Sequence, residues 1–242
     1  MAGTFEPYGA THAAAAAVGV VGAVGVVLVG RWVRDRPAEE RLRRGSALVI
    51  VLFTVPLQVR QWLPDHFDID SSIPLQVCDL GWMVGVHALW TRDRRTSALL
   101  YYWALTLTVQ AVITPTLGQD FPDLDFIKFW GMHLMTIWAA LLLTFGLGVT
   151  TDWRCFRFTV RWSLVWIAVT MVFNAVAGTN YGYLARKPAV STPLDLFGPW
   201  PVYVVVLVAV VLGGWALITW PWVAADRRAA TRSSPSRGRR AG

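Results

Sequence analysis

Two side chains in this sequence are of the types needed to break and remake an acyl bond. They are the thiol of Cys78, in Ile73-Pro74-Leu75-Gln76-Val77-Cys78-Asp79-Leu80, and the isolated imidazole of His133. A thiol that gives its proton to a base attacks an ester carbonyl and holds the acyl group as a thioester. Alone, a buried Cys is more often a small hydrophobe than a nucleophile. What favours chemistry at Cys78 is its place at the start of an apolar helix, where the macrodipole favours a thiolate. Cys155, the other cysteine, falls near the opposite membrane face, so a span-length gap prevents a bridge between the two.

The elements that must position these groups are membrane helices. With 55% hydrophobic residues and a mean hydropathy of +0.46, the 242-residue chain is more apolar than a soluble core requires, and the excess must face lipid. Apolar runs fall at about 10–30, 46–63, 74–90, 98–117, 126–148, 157–177 and 200–221. Each approaches the roughly 17–25 residues that cross a hydrocarbon core. In lipid the backbone must be satisfied within the segment, so the pattern predicts an all-α bundle of seven transmembrane helices. The third run is the shortest. Residues 1–225 form a single membrane domain, and residues 226–242, rich in Arg, Ser, Ala and Gly, are expected to be a disordered basic tail.

A net charge of +7 would suggest nucleic acid in a soluble protein, but here the basic residues sit in blocks between apolar runs. Of the 22 Lys and Arg residues, 18 follow runs one, three, five and seven. By the positive-inside rule that side is cytoplasmic, which puts the N-terminus outside and the C-terminus inside. No basic residue precedes Arg31, so the first run lacks the n-region of a cleaved signal and is expected to be retained. The strong preference for Arg over Lys suits a bacterial source and an inner-membrane location.

Counting helix rise from each run's outer end places most intramembrane polar residues at one level. His12 opens the first run, and Gln58 and Arg60 close the second. Gln76, Cys78 and Asp79 open the third, and Gln110 closes the fourth. His133 lies about 10 Å into the fifth, and Asn174 lies near the outer end of the sixth. Polar groups are costly in lipid and usually face the bundle interior, so a set at one depth predicts a pocket. The bland alternative is helix-to-helix hydrogen bonding without a site. Asp79 has Arg60 as a candidate partner. The loop at 178–201 is dense in turn formers and aromatics and is expected to cap the outer side. There Arg186 and Lys187 could hold a phosphate headgroup or serve as interface anchors. The acidic clusters around Asp65–Asp70 and Asp120–Asp125 lack EF-hand spacing and are expected to be solvated, so no metal or cofactor is implied.

Several of these segments together resemble the YwaF-like family of bacterial integral membrane proteins. The resemblance is carried by the segment around Cys78, by His133, by Gly178-Thr179-Asn180-Tyr181 with Tyr183-Leu184 and Lys187-Pro188, and by Gly198-Pro199-Trp200-Pro201-Val202-Tyr203. It runs from about Phe5 to Trp222. That family is similar to a eukaryotic transmembrane protein reported as a cysteine-dependent acyltransferase acting on ether phospholipids. More distantly it resembles the androgen-induced type of membrane hydrolase, which uses Thr and His. The resemblance implies a nucleophile at Cys78 and a base at His133. Bacterial members usually carry His two residues before the Cys, where this chain has Gln76.

The leading expectation is therefore a lipid-directed acyl transferase or hydrolase. Gln76, Asn180 or backbone amides would support the oxyanion, and Tyr183 and Arg186 would line the substrate side. Its partners would be membrane lipids, with an acyl lipid as substrate and no nucleic acid. The alternative is a transporter or ligand-binding sensor, which would need polar residues continuing toward the cytoplasmic face. A purely structural membrane partner would leave the polar level unexplained.

Overall fold

Long apolar runs punctuated by helix-capping aspartates set the architecture. Asp93, Asp123 and Asp152 each accept backbone N–H bonds at a helix start, from Thr96 at 2.9 Å, Asp125 at 2.8 Å, and Arg154 and Cys155 at 2.8 Å. The computed structural model describes residues 3–188 and 193–233. Its helices are α1 (Ala10–Val33), α2 (Ala38–Gln61), α3 (Val77–Thr91), α4 (Arg94–Ile113), α5 (Leu124–Gly146), α6 (Trp153–Ala177) and α7 (Val202–Ser233). The chain is all-helical; among the described residues the one β-type pairing is an isolated bridge between Thr4 and Gln119.

Six of the seven helices are long and apolar enough to cross a membrane, and α3 is not. Its 15 residues rise only about 22 Å, against a hydrocarbon core of about 30 Å. The expected third span begins at Pro74, but the first helical residue is Val77, after an extended N-cap at Gln76. The seven-span expectation is thus met by seven helices and six candidate spans. At the other end of the chain α7 continues to Ser233, past the Asp226 boundary expected for the basic tail. The rest of that tail, 234–242, lies outside the described residues.

The helices alternate between two ends. At the acidic-loop end, Arg60 at the close of α2 pairs with Asp125 at the start of α5 at 3.1 Å. There the N-terminal arm also bonds the loop before α5, through Phe5 N to Gly118 O and Asp120 N to Gly3 O. At the arginine-rich end, buried Glu39 pairs with Arg92 at 2.9 Å, and Arg94 with Asp152 at 3.2 Å. Small residues let α1 approach α5 closely: a Cβ added at Gly30 would lie 2.8 Å from the Gly146 Cα. Helices α2, α3, α4 and α5 pack on one another around the core. Toward the arginine-rich end that core is filled by fully buried Leu89, Leu100, Ala104, Ala140, Leu143 and Leu147. A second cluster joins α4, α6 and α7, where the Tyr102 hydroxyl meets Thr151 at 3.0 Å and Thr219 at 2.6 Å.

Candidate functional site

Helices α3 and α5 both start at the acidic-loop end and run side by side. Gly81 of α3 faces Thr136 of α5, whose methyl would lie 3.4 Å from a Cβ on the glycine. One turn deeper, Gly85 faces Ala139 in the same way, at 3.9 Å. Stepping back three residues from Gly81 and from Thr136 gives Cys78 and His133. The two residues therefore stand at one level on adjoining helices.

His133 is 2% exposed. Its Nδ1 lies 2.7 Å from the Phe129 carbonyl, which can only accept, so in the neutral ring Nδ1 carries the proton. Nε2 then presents a lone pair, and it is buried with no hydrogen-bond partner among the described residues. The Phe129 ring, with its centroid 4.1 Å from that of the imidazole, helps fix its plane.

Cys78 is the second residue of α3, half-buried and packed against the α2–α3–α5 core. Cys78 and Asp79 both lie in the first turn of the helix, where the Asp79 N–H donates to the Gln76 carbonyl at 3.0 Å. Asp79, buried at the third position of the helix, accepts the Gln76 backbone N–H at 3.2 Å.

The loop after α6 holds the start of α3 in place. Gly182 N donates to Gln76 Oε1 at 2.9 Å, and Trp166 Nε1 to the Leu75 carbonyl at 2.9 Å. Asn174 in turn shapes that loop, with Nδ2 donating to Tyr181 O and Oδ1 accepting from Thr179 and Tyr181 N.

The expected site residues separate into two groups. Gln76, Cys78 and Asp79 lie at the start of α3, Gln58 near the end of α2 bonds α5 through Lys128, and His133 stands on α5 at the level of Cys78. The others do other work. Arg60 pairs with Asp125 and not with Asp79. Asn174 is committed to the loop. Asn180 Oδ1 accepts from Ala185 N and Arg186 N, which closes a local turn. The Tyr183 carbonyl receives the Tyr203 hydroxyl, and Arg186 is exposed beyond it. Gln110 is exposed and bonds Thr114 at 2.9 Å. His12 is buried among Phe5, Tyr8 and Trp130, and its Nδ1 accepts the Tyr8 backbone N–H at 3.0 Å.

Lys128 was not among the expected residues. It is 8% exposed on α5, and its ammonium donates to the side-chain oxygens of Gln58, at 3.2 Å, and of Gln61. It lies within electrostatic reach of Asp79, Cys78 and His133. The signal for it was a single Lys inside an otherwise apolar run.

Further unpaired polar atoms sit where the same helices pack: Thr54 Oγ1 on α2, Trp82 Nε1 on α3 and Thr108 Oγ1 on α4. Buried polar groups without partners are uncommon and costly. Thr108 closes a π-helical stretch, Trp103–Thr108, of a kind frequent at functional sites. Two open clefts at the arginine-rich end, lined by Trp153, Val223 and Arg227, lie at the other end of the bundle from Cys78. Among the described residues no group of three His, Cys, Asp or Glu could hold a metal ion.

Seven packed helices, six of them able to span a bilayer, with ionisable groups buried between them, define a multi-pass integral membrane protein. The sequence model of the TMEM164 family matches residues 7–219, and the chain belongs to that family of transmembrane proteins. No curated protein and no solved structure matches the chain.

Proposed function

We propose that the protein is a lipid-directed acyl transferase that carries the acyl group on Cys78 and uses His133 as its base. The observation that carries this reading is the shared level of the two residues on α3 and α5, with a buried, unpaired Nε2 on the imidazole. His133 Nε2 takes the thiol proton, and the sulfur attacks the ester carbonyl of an acyl lipid. Collapse of the tetrahedral intermediate breaks the C–O bond, His133 returns the proton to the departing alkoxide, and the acyl group remains as a thioester. An acceptor hydroxyl, from a lysolipid or from water, then gives its proton to His133 and attacks the thioester, and Cys78 leaves as the thiol. In this reading the Gln76 amide nitrogen and the backbone N–H groups of Val77 and Cys78 stabilise the oxyanion, because Asn180 is spent on its own loop.

The resemblance to the YwaF-like proteins and their eukaryotic acyltransferase relative supports the reading. In it α3 completes a seventh crossing, since the non-helical residues 74–76 extend its reach. By the positive-inside rule the arginine blocks support a reading in which the arginine-rich end faces the cytoplasm of a bacterial inner membrane, with the N-terminus and the chemistry outside. A transporter would need polar groups continuing through the bundle. Around Leu100 and Leu143 the buried side chains are mostly apolar, with buried Thr136 and Thr144 as polar exceptions on α5.

The test is mass spectrometry of purified protein incubated with acyl lipid. A hydroxylamine-sensitive acyl adduct should appear on Cys78 in the wild type and be absent from Cys78→Ala. It should form at least about a hundredfold more slowly in His133→Ala, the lower range of general-base catalysis. Undiminished lysophospholipid acylation in both variants would overturn the proposal.

A further inference from the structure

The arginines of the arginine-rich end divide by what holds them. On the α1–α4 side several are spent on the protein itself: Arg31 donates to the Phe145 carbonyl, Arg43 to the Leu89 carbonyl, Arg44 pairs with Glu40, Arg92 with Glu39 and Arg94 with Asp152. Arg154 at the start of α6, and Arg227 and Arg228 near the end of α7, are exposed, and their guanidiniums have no ion pair or hydrogen bond among the described residues. These three line two adjoining clefts between α6 and α7, of about 410 and 350 Å³. The larger is walled by Trp153, Trp220, Val223, Ala224, Arg227 and Arg228, with no carboxylate among them. The smaller adds Arg154 together with Asp152 and Asp226. Asp152 is already held by Arg94 and by the first N–H groups of α6. Asp226 is then the one uncommitted carboxylate set against three guanidiniums, and the clefts keep a net positive charge.

The face of α7 that lines the larger cleft indicates which anion fits. Arg228, Ala224, Trp220, Leu217, Gly213 and Val210 follow one another at steps of three or four residues, so they form one stripe along the helix. Trp220, Leu217 and Val210 are exposed, and a Cβ added at Gly213 would meet nothing within 4 Å. A hydrocarbon core of roughly 20 residues counted from Val202 ends near Trp222. Arg227 and Arg228 then stand about 7.5–9 Å beyond it, in the headgroup layer. The stripe therefore passes from guanidinium through indole to bare aliphatic surface. Free phosphate would use the guanidiniums alone, and an acidic protein segment would leave the aliphatic part uncovered. A second copy related by a two-fold axis along the bilayer normal would set Arg227 and Arg228 against their own counterparts at one depth. An anionic lipid matches the whole stripe, with its phosphate on the guanidiniums and a chain over Leu217, Gly213 and Val210.

We propose that the cleft between the start of α6 and the end of α7 binds an anionic phospholipid of the leaflet at the arginine-rich end, held as a bound and unreacted lipid. The cleft lies at the other end of the bundle from Cys78 and His133, so its occupancy is independent of the acyl-transfer reading.

The experiment is native mass spectrometry of the full chain in detergent micelles. The probes are phosphatidylglycerol, phosphatidylcholine with the same chains, and inorganic phosphate. The wild type should retain phosphatidylglycerol over phosphatidylcholine. Replacing both Arg227→Gln and Arg228→Gln should weaken that retention about tenfold or more, the scale of two basic residues facing an anionic headgroup. Should this double variant fail to fold, Ala224→Glu sets a carboxylate one turn from both arginines and should produce the same loss. Arg41→Gln, which removes an exposed charge of α2 at the same end, should leave retention unchanged, and so should Cys78→Ala. Equal retention of the two lipids by the wild type would overturn the proposal. So would full retention by the folded double variant, a matching loss in Arg41→Gln or Cys78→Ala, or displacement of the lipid by millimolar inorganic phosphate. A dimer that the arginine substitutions abolish would overturn it too, by assigning the cleft to a second copy of the chain.

Discussion

The Tyr181 hydroxyl accepts the Ile73 backbone N–H at 3.0 Å and donates its own proton to the Ile69 carbonyl at 2.7 Å. Through this fully buried phenol the loop after α6 grips the segment that leads into α3 and Cys78. Tyr181→Phe keeps the ring and strands two backbone groups, at a cost of about 1–3 kcal/mol. The expected outcome is a lower midpoint of thermal unfolding in detergent and faster maleimide labelling of Cys78 below that midpoint. Unchanged labelling would mean that the loop does not position the thiol.

The contact between Gly81 and Thr136 sets the separation of α3 and α5. A methyl at Gly81 meets the Thr136 side chain at an ordinary packing distance, so Gly81→Ala should be nearly neutral. Gly81→Leu must push the helices apart or force strained rotamers, which costs about 1–3 kcal/mol. It should also abolish thioester formation while Cys78 remains present, because the His133 base is displaced. Full adduct formation in a folded Gly81→Leu would show that the α3–α5 spacing is irrelevant to the reaction.

The parts of this arrangement that were legible in the sequence are the local ones. Helix number follows from runs of apolar residues, and the gathering of one end's charge from blocks of arginine, each contained in one segment. The common level of Cys78 and His133 could be counted because α3 and α5 start at the same end. Partner choice was not legible. Asp79 looked available to Arg60, but the α5 start brings Asp125 to 3.1 Å from it, and 65 residues of chain hide that approach. Asn174, Asn180 and Tyr183 have the right polarity and depth, yet the loop turns back on itself and consumes their hydrogen bonds. The π-helical stretch in α4 puts an extra residue into the turn and changes the face that Gln110 presents. Lys128 was concealed by its run, where one charge barely lowers the hydropathy.

Asp93 caps α4 by accepting the Thr96 N–H, and that bond holds its carboxyl below the usual carboxylate range. A carboxyl lowered on folding adds stability above its unfolded pKa of about 3.9 and loses it as pH falls through the folded value. Asp93→Ala should therefore cost about 1 kcal/mol at pH 7. The gap between wild type and variant should narrow as the pH is taken below about 4. Thermal unfolding at the two pH values in an acid-stable detergent measures it. A gap that stays constant would assign the effect to helix propensity alone.

Orientation decides where any chemistry takes place, and it can be read without reference to activity. Asp35, in the loop between α1 and α2, is exposed at the arginine-rich end, and Asp65, in the loop between α2 and α3, is exposed at the acidic-loop end. In a background with Cys78 and Cys155 replaced by Ser, Asp65→Cys should react with a membrane-impermeant maleimide added to intact spheroplasts. Asp35→Cys should react only after the membrane is opened. The six basic residues from Arg31 to Arg44 make the converse topology unfavourable, because cytoplasmic loops retain Lys and Arg. Labelling of Asp35→Cys from outside would invert the bundle. It would move Cys78, His133 and Lys128 to the cytoplasmic leaflet, and the lipids of that leaflet would then be the ones to test.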